Sequence, residues 1–174
     1  MSRAQKSRCH ECRTKYPETH EGNVKQVRIW VDKGKAWAQT HLASQYQYGE
    51  GVPQSYEESM EYYNMAIKQG DPNAMYQLAA MYHQGHGVAQ SLEKAAELYA
   101  LAANQGHASA QFNLGVLYYN GQGVAESNDM ARKWWLKAAL QEHEKAINNL
   151  KTLDELEGKT TPTLPCCAAC GTPK

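Results

Sequence analysis

From Gly34 to Gln141 the apolar residues recur about every four positions, pause at paired glycines, and then the whole pattern starts again 36 residues later. Ala38, Leu42 and Tyr46 fall at i, i+4 and i+8, which places them along one side of a helix. Shifting by 36 finds Ala74, Leu78 and Tyr82, and shifting again finds Ala110, Leu114 and Tyr118. This stretch is helix A of each unit. The glycine pairs 49/51, 85/87 and 121/123 follow, each leading into Val52, Val88 or Val124. Glycine closes a helix C-terminus because it enters the left-handed conformation at little cost. Ser55, Ser91 and Ser127 then stand as N-caps for a second helix, and Glu58 completes a capping box with the first of them. Helix B runs to about Gln69, Gln105 and Gln141, with Ala66, Ala102 and Ala138 beside the bulky series Tyr63, Tyr99 and Trp135. Gly70-Asp71-Pro72 ends the first unit, supplying an N-cap aspartate and a first-turn proline for the next helix.

A single pair of such helices cannot bury its apolar side, so the units must stack and the ends of the stack must differ. They do. NVKQVRIWVDK, before the first unit, aligns with helix B and puts Val27 and Val31 in its core places. EHEKAINNLKTLDELEG, after the third, keeps Ala146 and Leu150 but has Asp154 where the tyrosine belongs. The string A-x-x-x-L-x-x-x-Y-x-x-G-x-G-V followed by A-A-x-x-G resembles the Sel1-like repeat, a relative of the tetratricopeptide repeat. The resemblance implies an all-α, right-handed α-solenoid of helix-turn-helix repeats: three full repeats between capping half-repeats, over residues 22–157. It also implies an adaptor in protein complexes and no catalysis. The family commonly carries Asp where Ser55, Ser91 and Ser127 stand, and serine caps equally well.

Charge adds an asymmetry. The 174 residues balance 18 Lys/Arg against 18 Asp/Glu, yet residues 1–35 hold nine basic and four acidic groups while 36–157 hold seven and fourteen. A neutral chain advertises neither nucleic acid nor an anionic membrane as partner. No apolar run is long enough to span a bilayer, and the start MSRAQKSRCHECR has no apolar signal core, so the expected location is intracellular, in the cytoplasm. GEGVPQ, GHGVAQ and GQGVAE lack the third glycine of a dinucleotide loop and follow helices, not strands. His83 and His86 have the spacing of metal ligands, but their counterparts are Gln47 and Tyr119, and Glu50 and Gln122. No nucleophile, base and orienting acid come together in the pattern, so the chain is read as a non-enzyme.

The face of helix A that the packing code leaves unused is the candidate for function. It reads Trp37, His41, Ser44, Tyr48, then Asn73, Gln77, Ala80, Gln84, then Ser109, Asn113, Val116, Asn120. In stacked helical hairpins the A helices line the concave side. Amides along such a stripe can match the backbone of an extended peptide without demanding one sequence, or they are simply a solvated face. The candidate partner-binding set is therefore Trp37, His41, Tyr48, Asn73, Gln77, Gln84, Asn113 and Asn120, and the expected partner is a protein or peptide.

All five cysteines lie in the flanks, residues 1–21 and 158–174. Cys9 and Cys12 form a C-x-x-C knuckle among Arg3, Lys6, Arg8, Arg13 and Lys15, and nearby cations favour the thiolate that zinc needs. C-x-x-C-R-x-x-x-P resembles the closing end of a RING finger, and Cys167-Ala-Ala-Cys170-Gly resembles the opening knuckle of a MYND finger. Neither has its remaining ligands here. Three readings stand: the knuckles are severed pieces that bind no metal stably; longer sequence completes a finger; or Cys9, Cys12, Cys167 and Cys170 share one zinc. The last is opposed by distance, because the stretch from Leu156 to Cys167 reaches about 36 Å at best. The alternative function is accordingly the repeat portion of a zinc-finger ubiquitin ligase or regulatory protein.

Overall fold

The computed structural model describes residues 20–158, and these form eight helices in sequence: α1 His20–Asp32, α2 Ala36–Tyr48, α3 Tyr56–Lys68, α4 Pro72–Gln84, α5 Leu92–Asn104, α6 Ala108–Asn120, α7 Asn128–Ala139 and α8 Glu144–Leu156. Each packs on the next, giving an all-α solenoid in which α2, α4, α6 and α8 are A helices and α1, α3, α5 and α7 are B helices. The terminal cysteines and the proposed zinc knuckles lie outside the described residues.

The helix ends follow local chemistry. Gly49, Gly85 and Gly121 adopt φ of 71°, 73° and 64° and close α2, α4 and α6 in the left-handed conformation. Ser55, Ser91 and Ser127 accept from the backbone N–H three residues on, and Asp71 caps α4 with Pro72 in its first turn. The capping box expected from Glu58 does not form in its reciprocal half. The Ser55 N–H donates instead to the Tyr46 carbonyl at 2.9 Å, as Ser91 does to Tyr82 at 3.0 Å and Ser127 to Tyr118 at 2.8 Å. A long-range bond joining helix A to helix B thus takes the donor a glutamate would otherwise satisfy. In the second and third pairs the second glycine is a close approach: a Cβ on Gly87 would lie 2.2 Å from Tyr56, and one on Gly123 would lie 2.3 Å from the Leu92 backbone.

The core follows the repeated positions. Ala38, Leu42, Ala74, Leu78, Ala110 and Leu114 are buried, as are Ala66, Ala102, Ala138, Tyr63, Tyr99 and Trp135. At the N-terminal cap Val24 and Val27 are the buried pair, while Val31 is only half-buried. The register is right and the helix face is rotated slightly from the expected one. At the other cap Asp154 is buried and ion-paired with Arg132, which also reaches Glu157 at 2.6 Å. Arg132 stands where the earlier repeats have Met60 and Ala96, so acid and base changed together. His83 lies edge-on to Tyr99, its ring 6.3 Å away, in the place where Gln47 and Tyr119 meet Tyr63 and Trp135.

Candidate functional site on the A-helix face

The A-helix stripe is built by aromatic side chains that rise from the B helices between neighbouring A helices. Tyr63 donates its hydroxyl to the Gln47 Oε1 at 2.8 Å and also lies against Ser44. Burial drives its pKa far above the ordinary phenol value. Tyr99 is buried in the same place one unit on, which pushes its pKa up to about 12, but its hydroxyl is engaged by Asn113 of the following A helix and not by the preceding one. Trp135 occupies the third such place and differs, because its one donor turns inward to the Phe112 carbonyl at 3.1 Å. The larger ring is admitted by Gly115, where a Cβ would sit 2.5 Å from the indole. Repeats one and two have Ala43 and Ala79 beside their smaller tyrosines.

Neighbouring A helices are tied at one more place, between the middle of one and the cap of the next. Thr40 donates to Asp71 at 2.5 Å, Tyr76 stacks on His107 at 4.6 Å between centroids, and Phe112 stacks on His143 at 4.8 Å. His107 also caps α6, its Nδ1 accepting from the Ala110 N–H at 3.1 Å. Burial lowers its pKa below the ordinary imidazole value, outweighing its own backbone hydrogen bond and the Asp71 carboxylate. Behind the stripe, Gln69 donates to Gln39 at 2.7 Å and Gln141 to Gln111 at 2.9 Å, one bond at the same place in two repeats.

Trp37 is 45% exposed and Tyr48 58%, and both stand at the α2 end of the stripe, where Trp37 also meets Trp30 at 6.0 Å. His41 is exposed on the same helix, its pKa lowered by partial desolvation against the opposing pull of Glu50. Asn73 is exposed and bonded to Asp71 through both its backbone and its amide. Gln77 is half-buried and Gln84 exposed, and neither side chain has a hydrogen-bond partner among the described residues. Asn120 is exposed and donates to Gln122 at 3.4 Å. Periodicity extends the stripe one helix beyond Asn120, through Asn149 and Thr152 of α8, which are the counterparts of Asn113 and Val116. Treating α8 only as a cap conceals them.

Between α6 and α8 the stripe opens into a pocket of about 240 Å³. Val116, Tyr119 and Asn120 form one wall, Asn149, Thr152 and Leu153 the other, and Trp135 lies beneath. No Asp, Glu, Lys or Arg occupies the stripe on α2, α4 or α6, and Lys145 is the first charge at its register. Among the described residues no cluster of three or more His, Cys, Asp or Glu side chains could hold a metal ion.

Stacked helix-turn-helix units with one periodic, uncharged, partly exposed face define a repeat solenoid of the kind that typically mediates protein–protein interaction. The Sel1 repeat model matches residues 38–71, 72–107 and 108–143, and the chain belongs to the Sel1 repeat family. It is similar to the crystal structure of a Sel1 repeat protein from Oxalobacter formigenes, with TM-score 0.69 and 34% identity over 75% of this chain and 98% of that one. It is also similar to a protective antigen of uropathogenic Escherichia coli displaying an SLR fold, with TM-score 0.77 and 32% identity over 83% of this chain. It spans 31% of that antigen's length. Cysteine rich protein B of Helicobacter pylori shares the fold, with TM-score 0.59 and 23% identity over 76% of this chain and 98% of that one. The search of curated proteins returns no match.

Proposed function

We propose that the chain is a non-catalytic scaffold that holds an extended, uncharged segment of a partner protein along the stripe of α2, α4, α6 and α8. The observation that carries this reading is the run of side chains without Asp, Glu, Lys or Arg at one repeat register on α2, α4 and α6. Exposed aromatics stand at one end, the unengaged amides of Gln77 and Gln84 in the middle, and the pocket at the other end. Amides offer a donor and an acceptor each and so suit a peptide backbone, while Trp37 and Tyr48 are of the residue types that anchor interfaces. A stripe whose one Lys, Lys145, stands at its α8 end attracts its partner little through long-range fields, so binding depends only weakly on salt.

The test is selection of displayed random dodecapeptides on the full chain, followed by affinity measurement with wild type and Gln77→Arg. The expected result is a loss of about tenfold or more for the variant, which places a charge against a neutral segment. Wild-type affinity should change little from about 0.05 to 0.5 M salt. Peptides that bind both proteins equally, or whose binding collapses in salt, contradict the reading.

A further inference from the structure

We infer that the pocket between α6 and α8 is the specificity subsite of this groove, and that it takes one uncharged aliphatic side chain from the bound segment. The inference rests on the groove reading and adds to it the chemistry of one position in the partner.

The pocket sits beside Trp135, where the third repeat lacks the tyrosine hydroxyl of the first two. In repeat one the Tyr63 hydroxyl bridges to Gln47 and Ser44 of α2, and in repeat two the Tyr99 hydroxyl engages Asn113 of α6. Those bonds engage Ser44 and Asn113 of the stripe. Trp135 has no hydroxyl, and its N–H is spent on the Phe112 carbonyl. Asn149, the counterpart of Asn113, has no side-chain hydrogen-bond partner among the described residues, as Gln77 has none at the same register of α4, and the space beside Asn149 is open.

Size and lining then select the occupant. At about 240 Å³ the pocket falls below the range of sites that enclose a whole metabolite, so it suits a single side chain. Val116, Leu153 and the Trp135 indole are apolar surfaces, and among the described residues no charged one lines the space. A charged side chain placed there would be desolvated without a counter-ion, whereas an aliphatic one gains from leaving water. Asn120 and Asn149 stand on opposite helices at the rim, each with an amide able to pair with the backbone on either side of the buried residue.

The experiment uses the same dodecapeptide selection on the full chain, with Thr152→Trp as the second variant. Thr152 is exposed at the rim, and a larger side chain there fills the pocket from α8. The expected outcome is a shared leucine, isoleucine, valine or methionine at one peptide position. Affinity falls about tenfold or more on Thr152→Trp, and equally when that peptide residue becomes aspartate. The indole N–H resonance of Trp135 in the wild-type protein shifts when the peptide binds. Peptides weakened by Gln77→Arg but indifferent to Thr152→Trp, with no shared aliphatic residue, overturn the subsite and leave the groove intact. Peptides indifferent to both variants overturn the groove itself. An unmoved Trp135 resonance in a saturated complex overturns the subsite even if Thr152→Trp alters folding.

Discussion

The first and third repeats use one frame for opposite interiors. Where the first buries Gln45, Gln47 and Ser59, with Gln47 and Ser59 at the Tyr63 hydroxyl, the third has Leu117, Tyr119 and Ala131 at the same positions, with Tyr119 and Ala131 against the Trp135 ring. The junctions differ in the same direction, a Thr40–Asp71 hydrogen bond at the first and a Phe112–His143 stack at the third. Helix register is held by the repeated alanines, leucines and capping residues, which leaves the contact-forming positions free to change as long as they change in pairs. The aromatic interior lies beneath the pocket between α6 and α8.

The strongest way to break this comparison is to separate a pair. Gly115→Ala puts a methyl 2.5 Å from the indole of Trp135 and should cost ~1–3 kcal/mol, read from urea unfolding. Adding Trp135→Tyr restores the Ala–Tyr combination of the first two repeats. The double variant should therefore be more stable than the sum of the single effects by ~1 kcal/mol or more. Additive losses would show that the Trp–Gly match is coincidental.

A smaller effect of opposite sign is expected in the first repeat. Gln45 is 2% exposed and its Oε1 has no partner among the described residues, in the place taken by Met81 and Leu117 in the later repeats. Gln45→Leu should raise stability by about 1 kcal/mol, measured as a higher urea midpoint at unchanged slope. A lower midpoint would mean that the amide oxygen is satisfied in solution and that the polar interior is a positive design.

The smallest expected effect is one of pH, at the junction between repeats two and three. His107 must be neutral at Nδ1 to accept from Ala110, and its pKa is lowered in the folded chain. The unfolded chain therefore binds the proton more readily. The His107 contribution is fully present above the ordinary value of 6.5 and is lost as pH falls through the lower folded value. Asn is also a good N-cap and does not titrate, so His107→Asn should reduce the fall in urea midpoint between about pH 7 and pH 5. An unchanged fall would assign the pH dependence to other groups.

How much was legible in the sequence follows from the same contrast. Whatever is identical in all three units could be read directly: the 36-residue period, the αL glycines, the serine caps, the buried Ala-Leu positions and the all-α stack. The capping box at Glu58 could not, because the competing Tyr46 carbonyl belongs to another helix. Paired variation was hidden for a related reason. Gln47, His83 and Tyr119 look like noise in a repeat alignment until Tyr63, Tyr99 and Trp135 are seen beside them. Asn149 and Thr152 were within reach of the period, but Asp154 and the lost G-x-G-V make α8 look like a mere cap. The pocket depends on how α6, α7 and α8 pack around Trp135, which no periodic signal reports.

The central claim is that the A-helix stripe is the working face of the solenoid. Backbone amide shifts in the full chain, recorded by NMR while a selected dodecapeptide is added, test it most directly. The account predicts perturbations along α2, α4, α6 and α8, largest near Gln77, Gln84, Asn120 and Asn149. Perturbations gathered instead on the exposed outer positions of the B helices, at Met65 and Leu101, would contradict it.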